Sequence, residues 1–227
     1  MLKTLLSIGA VAMLLAGNPV AQGGRGAATG PCDRACLEGF VNQYLDALVT
    51  HDPRSLPLAT AVTFTENGQR LELGDGSWRS MAGRGTYRLF VTDPEAGQAA
   101  FIGTLREENN ANTEGALVLV ALRLKIVSRQ ISEMELFVVR SENAAKNVEK
   151  AGAPHRLFTE AVPAAERMSR ADLVKTANMY FSGMQLNDGK GIYPFADDCD
   201  RFENGGQSTN APTPPGQTRP DPKTATG

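Results

Sequence analysis

The residues best suited to chemistry are Glu66 and Asn67, adjacent in a Thr-Glu-Asn-Gly run. A carboxylate on a short strand at a pocket mouth can serve as general acid or base, because burial disfavours its charged form. The neighbouring amide can donate to a developing oxyanion. The plainer reading of the same residues is a turn at Asn67-Gly68, with Glu66 capping nearby backbone amides. Glu203-Asn204-Gly205 repeats the run and favours the plainer reading, since turns are duplicated more readily than catalytic residues. Tyr44 and Trp78 could line a wall that binds flat or apolar ligands, and core packing explains them equally well. Arg123 and Lys125 on one strand candidate, and Glu133 and Glu135 on the next, alternate with apolar neighbours. Facing a pocket, Arg123 and Glu135 would contact a ligand; facing outward, they belong to a solvated or dimer-forming sheet face.

Other chemistries fit poorly. His51 ends a predicted helix, where a cation suits the dipole, and a dyad with Asp52 is the less economical account. Gly74-Asp-Gly-Ser has neither the spacing nor the following helix of a phosphate loop. The two histidines, His51 and His155, are not spaced with a cysteine as a structural zinc site requires. The expectation is a site with no metal and no cofactor.

The elements that must position these residues follow from periodicity. Leu37, Phe40, Val41, Tyr44, Leu45 and Leu48 form one apolar stripe on a helix from Asp33 to Asp52, with Asp33 as N-cap and Pro53 as stop. Short segments follow at Val62 to Thr65 and Leu71 to Leu73. Four strands are then expected at Tyr87 to Thr92, Ala99 to Glu107, Ala116 to Val127 and Ile131 to Arg140. A helix followed by a strand meander is an α+β pattern. A three-residue turn at Ser128-Arg129-Gln130 sets Lys125 opposite Glu133, Leu124 opposite Met134 and Arg123 opposite Glu135. This register puts charges on one face and apolar residues on the other.

A second helix is expected over Asp172 to Leu186, with Leu173, Ala177, Tyr180, Phe181 and Met184 inward. It belongs to a partial second copy of the first unit. Asn42-Gln-Tyr44, Pro57-Leu-Ala59 and Glu66-Asn67-Gly68 recur in order as Asn178-Met-Tyr180, Pro194-Phe-Ala196 and Glu203-Asn204-Gly205.

The N-terminus reads as a secretory signal: Lys3, then the apolar run Leu5 to Ala16, then small residues toward Ala21. Such a run is too short to span a bilayer, which needs ~20 residues. Secretion or a periplasmic location also suits the cysteines Cys32, Cys36 and Cys199, whose pairing the sequence leaves open. With a net charge of −2 and no basic stripe, nucleic acid is not the expected partner. The divisions expected are a signal peptide at 1–21, a linker at 22–31, a main domain at 32–140, a second linker with a short helix at 141–168, a partial unit at 169–204 and a disordered tail at 205–227.

A Tyr-bearing helix, Thr-Glu-Asn-Gly, Gly-Asp-Gly-x-Trp, and an Arg-Leu-Lys strand beside Ile-x-Glu-x-Glu resemble the SnoaL-like branch of the nuclear-transport-factor-two-like superfamily. Within it, the resemblance points to secreted members that carry two such units and have no assigned activity. It covers Cys32 to Arg140 and Ser169 to Asn210, and implies a curved antiparallel sheet wrapped on helices as a cone with an apolar pocket. The second unit departs from the pattern, because it lacks the strands that would close its cone. Three functions stay open: an exported module binding a small apolar or aromatic ligand, a cofactor-free lyase, isomerase or cyclase using Glu66 with Asn67, and a non-catalytic association module. A homodimer through the sheet fits the last of these.

Overall fold

The computed structural model describes residues 32–109, 112–186, 194–196 and 198–218. The expected signal peptide at 1–21 and linker at 22–31 lie outside them. The first helix, α1 (Arg34–Val49), starts where Asp33 accepts a hydrogen bond from the Cys36 amide at 2.9 Å. Cys32 and Cys36 form a disulfide across this first turn, and Cys199 is free. The helix ends at Val49 rather than Asp52: Thr50 caps it and His51 takes a left-handed φ of 55°. Asp52 instead caps the short Pro53–Ser55 turn.

Six strands follow: β1 (Leu58–Glu66), β2 (Gln69–Arg70), β3 (Met81–Asp93), β4 (Gln98–Asn109), β5 (Asn112–Val127) and β6 (Gln130–Val139). They form one sheet in the order β2-β1-β6-β5-β4-β3, antiparallel except where β1 runs parallel to β6. Register shifts within β1–β6, β3–β4, β4–β5 and β5–β6 bend the strands and curve the sheet around α1. All six residues of the predicted α1 stripe are buried, against Phe64, Phe101, Leu122, Leu124, Met134 and Leu136 of the inner sheet face. Each such burial contributes about 1.5–3 kcal/mol.

The β5–β6 register is the expected one, with Arg123 opposite Glu135, Leu124 opposite Met134 and Lys125 opposite Glu133. The turn that sets it is shorter. Ser128 and Arg129, both with positive φ, make a two-residue turn that pairs Val127 with Gln130. A bulge next to Lys125 then absorbs Ser132 and restores the faces.

Beyond Arg140, where a linker with a short helix is expected, the structure has a ten-residue helix packed on the sheet. Ser141 caps α2 (Glu142–Ala151), which lies on the outer face of the sheet. Its Ala145 and Val148 pack with Leu119, Tyr87, Leu117 and Val139 in a second, smaller core. Glu149 fixes it by accepting from the Thr104 hydroxyl and from the Thr86 amide at 2.8 Å.

The helix α3 (Arg170–Leu186) forms as expected, but its apolar face is not inward. Leu173, Val174, Phe181 and Met184 are each more than half exposed, and Ala177 is exposed too. The predicted tail begins in order, since β8 (Gly206–Gln207) pairs with β7 (Phe202–Glu203). The turns of β1–β2 and β7–β8 share one backbone: φ is 48° and 78° at Asn67-Gly68, and 49° and 78° at Asn204-Gly205. Gly205 is required twice over, by its φ and because a Cβ there would lie 2.8 Å from the Val148 amide nitrogen on α2.

Candidate functional site

Tyr44 and Trp78 meet inside the curve of the sheet. α1 points the tyrosine inward, and the short Gly76–Arg79 turn carries the indole in from the opposite side. The rings stand edge to face with centroids 5.2 Å apart, and both are essentially sealed from solvent. Two polar atoms go in with them. Neither the Tyr44 hydroxyl nor the Trp78 ring N–H has a hydrogen-bond partner among the described residues. Burial pushes the Tyr44 pKa far up; the facing indole N–H works against this and the Glu66 charge adds to it. The indole approaches the hydroxyl without reaching hydrogen-bond geometry, so both atoms stay unpaired donors. Leaving a buried polar group unpaired costs ~1–3 kcal/mol.

Glu66 lies beside this pair and is itself buried, at 8% exposure. Both of its oxygens are engaged. One accepts from the Ser77 amide at 2.8 Å, and the other from Arg140 at 3.4 Å. Gly76 lets the turn come this close, since a Cβ there would sit 2.5 Å from the carboxylate. Arg140 also grips Glu107 through two hydrogen bonds, at 2.7 and 2.9 Å, and Ser80 donates to Glu107 at 2.7 Å. Burial raises the Glu107 pKa, but the Arg140 and Ser80 contacts outweigh it and the net shift is downward. Its bonds to Glu107 first, and to Glu66 after, hold Arg140 above its ordinary value. Glu66 therefore ties the Trp78-bearing turn to the sheet.

Asn67 is equally committed. Its side-chain oxygen accepts from the Val138 amide at 2.8 Å, its side-chain nitrogen donates to the Val138 carbonyl at 3.4 Å, and its own amide donates to Leu136. The side chain thus stands in for one more residue of strand beside β6.

Arg123 and Glu135 lie on the outer face, away from Tyr44, Trp78 and Glu66. Arg123 bonds both Glu135 and Glu133, and Gln98 as well. The carboxylates' pKa values are lowered, first by those Arg123 hydrogen bonds. His51 donates from its ring Nε2 to the Met81 carbonyl at 2.7 Å and so anchors the start of β3. The contributions of Arg140, Glu107 and Ser77 were not visible as a motif: they come from three separate elements, and no spacing in the sequence links them.

Two open grooves lie elsewhere. One, of about 660 Å³, runs between the β3–β4 turn and α3. The other, of about 190 Å³, lies over β3, β4 and Arg123 on the outer face. Among the described residues no group of three His, Cys, Asp or Glu could hold a metal ion, and no helix is long and apolar enough to cross a membrane.

Comparison with solved structures finds low-identity likenesses. A protein with a ketosteroid isomerase-like fold from Catenulispora acidiphila, crystallised with trimethylamine, is 14% identical over 51% of this chain and 93% of its own, with a TM-score of 0.38. An NTF2-like protein of unknown function from Cytophaga hutchinsonii is 13% identical over 45% of this chain and 88% of its own, with a TM-score of 0.34. A protein of unknown function with a cystatin-like fold from Methylobium petroleophilum is 17% identical over 49% and 81%, with a TM-score of 0.38. No curated protein matches the chain. The family model described as Domain of unknown function (DUF8021) matches residues 31–149 and 166–226, the two stretches that hold the Glu-Asn-Gly turns. The chain belongs to the DUF8021 family.

Proposed function

We propose that this chain is an exported small-ligand-binding cone module, whose ligand presents a hydrogen-bond acceptor to Tyr44 and Trp78. The observation that carries this reading is the pair of unpaired, fully buried donors side by side in the cone interior. An acceptor such as a carbonyl oxygen would satisfy both, and the flanking Leu37, Val41 and Met81 would take the apolar remainder. Because both rings are sealed from solvent, access requires the Gly74–Arg79 turn to lift from Glu66. The Cys32–Cys36 disulfide supports export, as such bonds persist in oxidising compartments. The shared turn geometry at Asn67 and Asn204 supports reading 169–204 as a partial second copy.

A cofactor-free lyase, isomerase or cyclase is the second reading. What favours it is the Glu66 carboxylate, close enough to Tyr44 for its charge to be felt at the hydroxyl. Against it stand the bonds that occupy both Glu66 oxygens and the Asn67 amide.

Trp78 is the only tryptophan, so its indole N–H gives one resolved proton signal. Titration with acetophenone should shift that signal downfield as the ketone accepts the hydrogen bond. Ethylbenzene, alike in shape but lacking the acceptor, should not. An unchanged signal, or the same response to both, would contradict the reading.

A further inference from the structure

The exposed large apolar residues are unevenly distributed. The last third of the described chain carries most of them, and α3 concentrates them on one face. At about 100° per residue, Leu173, Met184, Ala177, Phe181 and Val174 fall within a stripe roughly 100° wide. Tyr180 at its edge turns away, donated to by Arg201 at 2.8 Å and packed on Phe195. The stripe has a hole and a knob. The hole is the groove of about 660 Å³ lined by Leu173, Val174 and Ala177 on α3 and by Pro94 and Glu95 of the β3–β4 turn. The knob is Phe181, 64% exposed, one helical turn further on.

We propose that α3 is a self-association face, on which two copies of this chain pair their α3 helices antiparallel about a two-fold axis at Ala177. In that arrangement Leu173 of one copy opposes Phe181 of the other, and each Phe181 enters the other's groove. The small side chain at the axis lets the helices approach closely, and one patch serves both copies as an isologous interface demands. Charge fixes the direction. Arg170, Asp172 and Lys175 all lie in the first turns of α3, and none follows them. Arg170 is already paired with Asp93, so Lys175 is the cation that matters: an antiparallel pair separates the two Lys175 side chains and opposes the helix dipoles, whereas a parallel pair would set each Lys175 against its own copy. The five side chains bury on the order of 400 Å² per copy, about half of what a stable interface of standard size uses. The pair is accordingly weak and concentration-dependent.

Sedimentation equilibrium of the full chain tests this. Wild type should show a reversible monomer–dimer equilibrium, and Phe181→Asp should weaken association at least about tenfold with circular dichroism and melting unchanged. Phe137→Asp, on the exposed outer sheet face, should leave the dimer intact. In a Cys199→Ser background, Ala177→Cys should oxidise to a disulfide-linked dimer and Asn178→Cys should not, which reports the axis while keeping a small side chain there. A chain monomeric up to roughly 1 mM, a dimer that survives Phe181→Asp, or equal cross-linking at 177 and 178 overturns the proposal.

Discussion

α1 and α3 carry the same stripe in two different settings. Leu37, Val41, Tyr44, Leu45 and Leu48 of the first helix correspond, at a constant offset, to Leu173, Ala177, Tyr180, Phe181 and Met184 of the second. In α1 the curved sheet covers every one of them. In α3 only the tyrosine edge is covered, by the segment that leads into β7–β8. The difference teaches that an amphipathic pattern specifies a face to be buried, while a separate element decides whether it is buried within the chain. The turns repeat the lesson. Asn67 hydrogen-bonds into β6 through both its side chain and its backbone. The Asn204 turn has the same backbone and rests against α2.

The comparison breaks most sharply at the paired tyrosines. Tyr44→Ala should cost about 3–5 kcal/mol, the range for a fully buried aromatic. Tyr180→Ala should cost about 1 kcal/mol, as expected for a ring that is only partly buried. Thermal or urea unfolding of the two variants measures both, and equal losses would mean that α3 is buried in solution.

The paired glutamates come next. Glu66→Gln removes the charge that faces Arg140 and weakens the bond from the Ser77 amide, so it should cost about 1–3 kcal/mol. Glu203→Gln touches only an exposed pair with Arg201 and should stay within about 0.5 kcal/mol. On the catalytic reading, Glu66→Gln would instead leave stability nearly unchanged and abolish turnover.

Acid separates the two regions more gently. Asp93, Glu107, Glu133, Glu135 and Glu149 all have lowered pKa values in the fold. A lowered carboxylate stabilises the fold above its unfolded value, about 4.3 for Glu, and loses that contribution as pH falls through the folded value. The melting temperature should hold down to about pH 5 and fall below about pH 4. Four of the five carboxylates serve the sheet and α2, while Asp93 holds Arg170 at the start of α3. A melting temperature that rises on acidification would reverse the assigned sign.

Much of the first unit was legible because its signals are redundant. Six apolar positions at helical spacing, an aspartate cap and two opposed charge pairs each point to one arrangement, so the β5–β6 register survived a wrong turn length. α2 was harder to read. It is only ten residues long and mostly polar, and it buries just Ala144, Ala145 and Val148, so its sequence suggests a short surface helix and not one that packs on the sheet. The parallel placement of β1 beside β6 joins residues some seventy apart and leaves no local trace. At the site, the duplicated Glu-Asn-Gly already favoured a turn. That Tyr44 and Trp78 would be buried with their donors unpaired depends on the angle between two rings from different elements, which no sequence pattern encodes.

That unpaired arrangement gives the most direct test of the account. Tyr44→Phe keeps the ring and removes the hydroxyl. If the hydroxyl is held without a partner for the sake of a ligand, the variant should be more stable than wild type by about 1 kcal/mol in urea unfolding, and calorimetric titration should show its affinity for acetophenone reduced by about tenfold or more. A variant that is less stable than wild type and binds the ketone as tightly would contradict the account, and would make Tyr44 a partnered core residue.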